Sequence, residues 1–201
     1  MRDLRIVDFL AELAARVPAP GSGATAALHA AQAAALLGMV ARYTTGDRYA
    51  AHAETVAAVT DETDVLRADA LRLAEQDATA FTAVTDAYRL PQGEERDATL
   101  ARALAGAAEP PARVVEAAVR LVELCEVLLP VANRNLVTDV AAAADAARAA
   151  LTTARINVEV NLGGIEDERL REELTARLSG VDAAVSAADG IAARVREEIT
   201  R

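Results

Sequence analysis

The chain has 201 residues and a formal net charge of −10, from 31 acidic and 21 basic side chains, a balance that argues against a nucleic-acid surface. Hydrophobic residues make up 53% and aromatics 2%, so the core must be built from Ala, Leu and Val. Cys125 is the one cysteine, which excludes an intrachain disulfide, and His29 and His52 lack the partner spacing of a zinc site.

Alanine has the best intrinsic helix propensity and lets helices approach closely. The composition therefore predicts an all-α protein, a single bundle of long helices spanning 1–201. Alanine buries little area per residue, so burial against a second subunit is an expected supplement. Charged residues at Met1-Arg2-Asp3-Leu4 stand where a signal peptide needs an apolar core. Residues 24–41 are apolar, but His29 and Gln32 interrupt them and most are alanine, which favours a buried helix over a membrane span. A cytoplasmic protein without membrane or nucleic-acid partners is expected.

In chain order, Asp3 is placed to cap a first helix with Ile6, Phe9, Leu10 and Leu13 on one face, stopped by Pro18. The stretch from Pro18 to Thr25 is a stiff loop in which Gly21 and Gly23 permit close backbone approach to a ligand. It opens directly onto helix amides that lack intrahelical partners. Such a loop is either a ligand cradle or a plain interhelical turn. The second helix runs from about Ala24 to Tyr43 and ends near Gly46. Neither Gly nor Pro occurs from Asp47 to Leu90, enough for a helix of roughly forty residues and about 60 Å, with a possible break at Thr60-Asp61.

Pro91-Gln92-Gly93 is the next stop. Glu94 to Ala107 reads as a shorter helix, broken by Glu109-Pro110-Pro111, which starts another that ends before Pro130. Asn133 to Asn135 form a polar junction, and Thr138 is a suitable N-cap for a helix to about Val160, closed by Gly163-Gly164. Asp167 to Arg201 reads as a final helix weakened by Gly180 and Gly190.

Three polar sets interrupt the apolar pattern. Leu66, Ala70, Leu73, Asp77, Phe81 and Val84 share one helix face, and Asp77 is the charge in that stripe. A buried carboxylate has its pKa raised toward a range useful for proton transfer; a structural ion pair or a place at the stripe's edge is the alternative. Asn133, Asn135, Thr138 and Asp139 gather where a helix begins, a pattern that capping also explains. Asn157 and Asn161 lie four apart on one face, suited to bonding backbone across a bundle or to orienting a heterocycle with amide-like edges.

Taken in order, these motifs resemble the cyclodeaminase/cyclohydrolase family, which includes the cyclodeaminase domain of formiminotransferase-cyclodeaminase and the stand-alone methenyltetrahydrofolate cyclohydrolases. The family's Ala-Pro-Gly-Gly-Gly-Ser loop corresponds to Ala19-Pro20-Gly21-Ser22-Gly23-Ala24. Its Met-Val pair and Thr-x-Gly turn correspond to Met39-Val40 and Thr44-Thr45-Gly46. Its Asp-x-x-Ala-Phe corresponds to Asp77 through Phe81, followed by Leu90-Pro91. Its Asn and Ser-Asp-Val correspond to Asn133 and Thr138-Asp139-Val140, and its Asn-Val-x-x-Asn-Leu to Asn157 through Leu162. Ser22 and Ala24 depart from the loop pattern, and the basic residues that often follow the Thr-x-Gly turn are reduced to Asp47-Arg48-Tyr49.

The resemblance implies an all-helical homodimer acting on tetrahydrofolate derivatives as substrates, with neither metal nor further cofactor. It implies hydrolysis of 5,10-methenyltetrahydrofolate to 10-formyltetrahydrofolate, or cyclisation of 5-formiminotetrahydrofolate with release of ammonia. Asp77 would be the catalytic residue. Pro20, Gly21, Ser22, Gly23, Ala24, Arg48, Asn133, Asp139, Asn157 and Asn161 would bind substrate or form the pocket wall. The competing reading is a non-catalytic helical dimer that binds a folate-like ligand or a protein.

Overall fold

A computed structural model describes residues 3–200. Seven α-helices carry the fold: α1 (Ile6–Ala14), α2 (Ser22–Tyr43), α3 (Ala53–Arg89), α4 (Glu94–Leu128), α5 (Val137–Leu162), α6 (Glu168–Arg177) and α7 (Val181–Ile199). No strand occurs among the described residues, as the composition predicts.

The small-residue helix α2 lies at the centre and packs against α3, α4 and α5. Ala24, Ala26, Ala27, Ala30, Ala33, Ala34, Leu37, Val40 and Ala41 are fully buried. Alanine on nearly every face is what admits three neighbours to one helix. Helix α2 is the one described helix long and apolar enough to cross a membrane, and the packing of its small side chains inside the bundle accounts for that composition. Larger side chains fill the outer layer of the core, among them Leu73, Leu121, Leu124, Leu128, Leu151 and Ile191. Cys125 belongs to this layer, and burial pushes its thiol up to about 12, which leaves it protonated and inert near neutral pH.

The long helix expected between Asp47 and Leu90 is present with a modified start. Gly46, at φ +94°, turns the chain into a 3-10 segment over Asp47–His52, and the 37 residues of α3 follow. Thr60 does not break it, because its hydroxyl donates to the Val56 carbonyl one turn back. Three other expectations need correction. Asp3 does not cap α1; Arg5 holds the cap position and no side chain caps it. Thr138 does not cap α5, which starts at Val137 from a 3-10 turn over Arg134–Leu136; the Asn133 side chain caps that turn by accepting from the Asn135 amide. The final segment is two helices: the Asp167 carboxylate caps α6 through the Leu170 amide, and the chain turns through Ser179-Gly180 before α7.

The largest departure is α4, which runs unbroken through Pro110 and Pro111. Each proline removes the donor that would reach the carbonyl four residues earlier, here those of Gly106 and Ala107. Gly106 is exposed, so water can serve its carbonyl. Ala107 is buried, and its carbonyl accepts from the Asn161 side-chain amide of α5 at 3.2 Å. With both carbonyls satisfied, and both prolines buried against neighbouring helices, tertiary packing outweighs the local cost. The proline pair reads as a helix start in one dimension because the asparagine that compensates it lies fifty residues away in sequence.

Candidate functional site

One end of the bundle gathers the loop before α2, the middle of α3 and α4, and the C-terminal half of α5. They enclose a cavity of about 220 Å³ lined by Gly21, Ser22, Gly23, Asp77, Asn157 and Asn161, with Pro18, Ala19, Phe81 and Ala107 around them. Larger hollows elsewhere are more open, and the one between α1, α2 and α3 is lined mainly by apolar side chains, with Gln32 and Arg67 among them.

Asp77 reaches this cavity because the α3 stripe turns its carboxyl toward the start of α2. The fit is close: a Cβ built on Gly23 would stand 2.0 Å from Asp77 Oδ1. Only a residue without a side chain allows this approach. Burial raises the Asp77 pKa above its ordinary value, and the Ala24 backbone amide, which donates to the carboxylate, partly offsets the rise. No arginine contributes to that balance. Asp77 is therefore a half-buried carboxyl held by one amide, and the ion-pair alternative does not describe it.

The loop is tied to α5 by side chains. Ser22 Oγ donates to Asn157 Oδ1 at 2.8 Å, and Asn157 Nδ2 donates to the Thr153 carbonyl at 2.8 Å. Asn161 Nδ2 donates to the Asn157 carbonyl at 2.8 Å as well as to Ala107. The start of α2 is likewise organised from within. The Thr25 amide bonds the Gly21 carbonyl, and the Ala24 amide serves Asp77. Ala24 itself is fully buried and reaches the site through its backbone alone. The amides of Ser22 and Gly23, like that of Ala24, lie in the first turn and have no intrahelical acceptor.

The structure thus brings together Gly21, Ser22, Gly23, Asp77, Asn157 and Asn161 as cavity lining. Pro20 is buried just behind the loop, and Ala24 is buried beneath Asp77. It does not bring Arg48, Asn133 or Asp139 to the same place. Twenty residues of α2 separate Gly23 from Tyr43, about 30 Å at the helical rise, and all three lie at the far end. There the Asn133 amide donates to Thr44 Oγ1 at 3.1 Å and its side chain donates to the Tyr43 carbonyl at 3.3 Å, latching the α4–α5 junction to the end of α2. Arg48 is exposed and stacks over the Tyr49 ring at 5.1 Å. Asp139 sits in the first turn of α5. A single pocket wall containing these three is therefore corrected for the isolated chain. Phe81 and Ala107 line the cavity without having been singled out as site residues; Phe81 belonged to the Asp77 stripe, one turn away, and Ala107 was hidden by the apparent proline break.

Fold and site together define an all-helical protein whose small cavity carries one desolvated carboxyl opposite a glycine loop and two asparagine amides. The model of the formiminotransferase-cyclodeaminase family matches residues 5–180, and the chain belongs to that family. It is 32% identical over 182 residues to the methenyltetrahydrofolate cyclohydrolase of Methylorubrum extorquens, covering 88% of each chain. It is 31% identical over 185 residues to mouse formimidoyltransferase-cyclodeaminase, of which the match spans 34%. A crystal structure of formiminotetrahydrofolate cyclodeaminase from Thermotoga maritima superposes with a TM-score of 0.90 at 28% identity, covering 100% of this chain and 99% of that one.

Proposed function

We propose that this protein is an enzyme of folate one-carbon metabolism, acting as a methenyltetrahydrofolate cyclohydrolase or a formiminotetrahydrofolate cyclodeaminase. The observation that carries the reading is the Asp77 carboxyl, desolvated, beside the Ala24 amide and lining one cavity with the glycine loop and Asn161. Both reactions add a nucleophile to an amidine-like carbon and turn on proton transfers at water or nitrogen. In hydrolysis, water adds to the carbon bridging N5 and N10 and gives up a proton. The carbon–N5 bond then breaks as N5 takes a proton and the new hydroxyl gives up its own, leaving the formyl group on N10. In deaminating cyclisation, N10 adds to the formimino carbon, its proton departs, and the former imino nitrogen leaves as ammonia after protonation.

One carboxyl that accepts a proton and returns it to the departing nitrogen serves either sequence. Asp77 takes that role, and its raised pKa brings its proton affinity closer to neutral pH. The amides of Ser22 and Gly23 lie where they can orient substrate, Asn161 holds the pterin, and Asn157 ties the loop to the pocket wall. Neither sequence calls on a redox group or a metal. Purified protein assayed spectroscopically with both substrates tests the reading. Turnover of one of them is expected, and binding without turnover of either would mark the non-catalytic alternative.

We place the protein in the cytoplasm as a homodimer. Ile6, Val7 and Leu10 of α1 are 79%, 63% and 54% exposed, and α1 buries no residue. An apolar surface of this kind is suited to a subunit contact. Arg48, Asn133 and Asp139, remote from Asp77 within one chain, would then be available to a neighbouring copy. Light scattering at micromolar concentration should give twice the chain mass; a monomer would contradict the assignment.

A further inference from the structure

We propose that Pro111 is a positioning residue for the ligand. By withholding a backbone donor it fixes the Asn161 amide so that Oδ1, a hydrogen-bond acceptor, is what the side chain presents to the cavity. The inference rests on the folate reading for the nature of the ligand and on geometry alone for the orientation.

An asparagine amide can turn over and exchange its donor and acceptor ends unless its neighbours discriminate between them. At Asn161 they do. Its terminal nitrogen lies 3.2 Å from the Ala107 carbonyl and 2.8 Å from the Asn157 carbonyl. Two carbonyl oxygens accept and cannot donate, so the NH2 group must face them and Oδ1 must face away. The Ala107 carbonyl is open to Asn161 because Pro111, four residues on in α4, has no N–H to fill it. Any other residue at that position would offer an intrahelical donor to the same oxygen and weaken its hold on the side chain.

The hydrogen bonds of the Asn161 side chain all run through Nδ2, none of the described side chains donates to Oδ1, and Asn161 lines the cavity with Asp77. The ligand group that meets it must be a donor. For a tetrahydrofolate that group is an N–H of the pterin edge, and a ligand presenting a carbonyl there is rejected. The partner asparagine cannot substitute, because Asn157 Oδ1 is already occupied by the Ser22 hydroxyl.

A double-mutant cycle on the full chain with Pro111→Ala and Asn161→Ala tests this. Pro111→Ala supplies a donor to the Ala107 carbonyl and frees the asparagine. Its melting temperature should be unchanged or raised, while KM for the folate substrate rises about tenfold, the worth of one hydrogen bond, with kcat nearly unchanged. Asn161→Ala should raise KM similarly and lower the melting temperature by orphaning the Ala107 carbonyl. In that background, Pro111→Ala should restore stability and add no further change in KM. Additive effects on KM, or an unaltered KM in Pro111→Ala, would overturn the inference. If the wild-type protein turns over neither folate, the functional reading fails separately. The stability limb of the cycle and the exchange rate of the Asn161 side-chain amide by NMR then decide the inference: slow exchange in the wild type and fast exchange in Pro111→Ala support it, and equal rates overturn it.

Discussion

Asp77→Asn is expected to lower turnover about 10²- to 10⁴-fold, the usual worth of a general acid or base, with a much smaller change in substrate binding. The substitution keeps the shape of the side chain, and its amide oxygen can still accept from the Ala24 N–H, so the pocket should stay assembled. Loss of a group used in proton transfer appears in kcat. Stability should move the other way. Burial raises the folded-state pKa of Asp77 above its ordinary value of 3.8. A carboxyl shifted upward costs stability progressively as pH climbs from the unfolded to the folded pKa, and the full cost persists at neutral pH. Asn carries no such cost. The melting temperature of Asp77→Asn should therefore equal or exceed that of the wild type at pH 7, and the difference should shrink as pH falls from the raised folded pKa toward about 4 and vanish below it. Wild-type turnover should fall as acid protonates the carboxyl through its raised pKa. Full activity accompanied by a large loss of stability would end the catalytic assignment.

Gly23→Ala is expected to reduce turnover about 10²-fold through displacement alone, the scale of an ångström misplacement at a reacting centre. The added Cβ would fall 2.0 Å from Asp77 Oδ1 and 2.4 Å from Cγ, so either the carboxyl turns out of its place or the start of α2 moves off α3. The carboxyl is the softer of the two, being bound by one backbone amide, whereas α2 is packed on three helices. Circular dichroism should report an intact fold with a modest drop in melting temperature, while single-turnover kinetics should report the loss. Gly21→Ala makes the control. Nothing lies within 4 Å of a Cβ at Gly21, and its effect should be much smaller.

The contrast between these two glycines marks the limit of what the sequence discloses. Loop, carboxyl and asparagine pair are each legible as residues out of place: a charge in an apolar stripe, amides four apart on a helix face. The all-α fold follows equally from alanine content and from the absence of Gly and Pro over more than forty residues. What one dimension does not carry is which exception is compensated by which. Pro110-Pro111 signals a break, and the signal is correct for an isolated helix. It fails because the Asn161 side chain replaces one missing hydrogen bond and solvent serves the other carbonyl. Thr138 is a good cap by type, yet Asn133, held by Tyr43 and Thr44, caps the turn that precedes it. Only the family resemblance joins Asn133 and Asp139 to the site, and within one chain two long helices hold them about 30 Å from Gly23.

A tetrahydrofolate is expected in the cavity between the glycine loop, Asp77 and Asn161. A crystal structure of the protein with 5-formyltetrahydrofolate, a stable relative of both substrates, tests it most directly. The pterin is expected against Gly21 to Gly23, with Asp77 Oδ1 or Oδ2 within hydrogen-bond distance of the one-carbon region and Asn161 Oδ1 accepting from a pterin N–H. A ligand seated instead in the apolar groove of α1, α2 and α3, or at the far end beside Arg48 and Asn133 with Asp77 untouched, would contradict it.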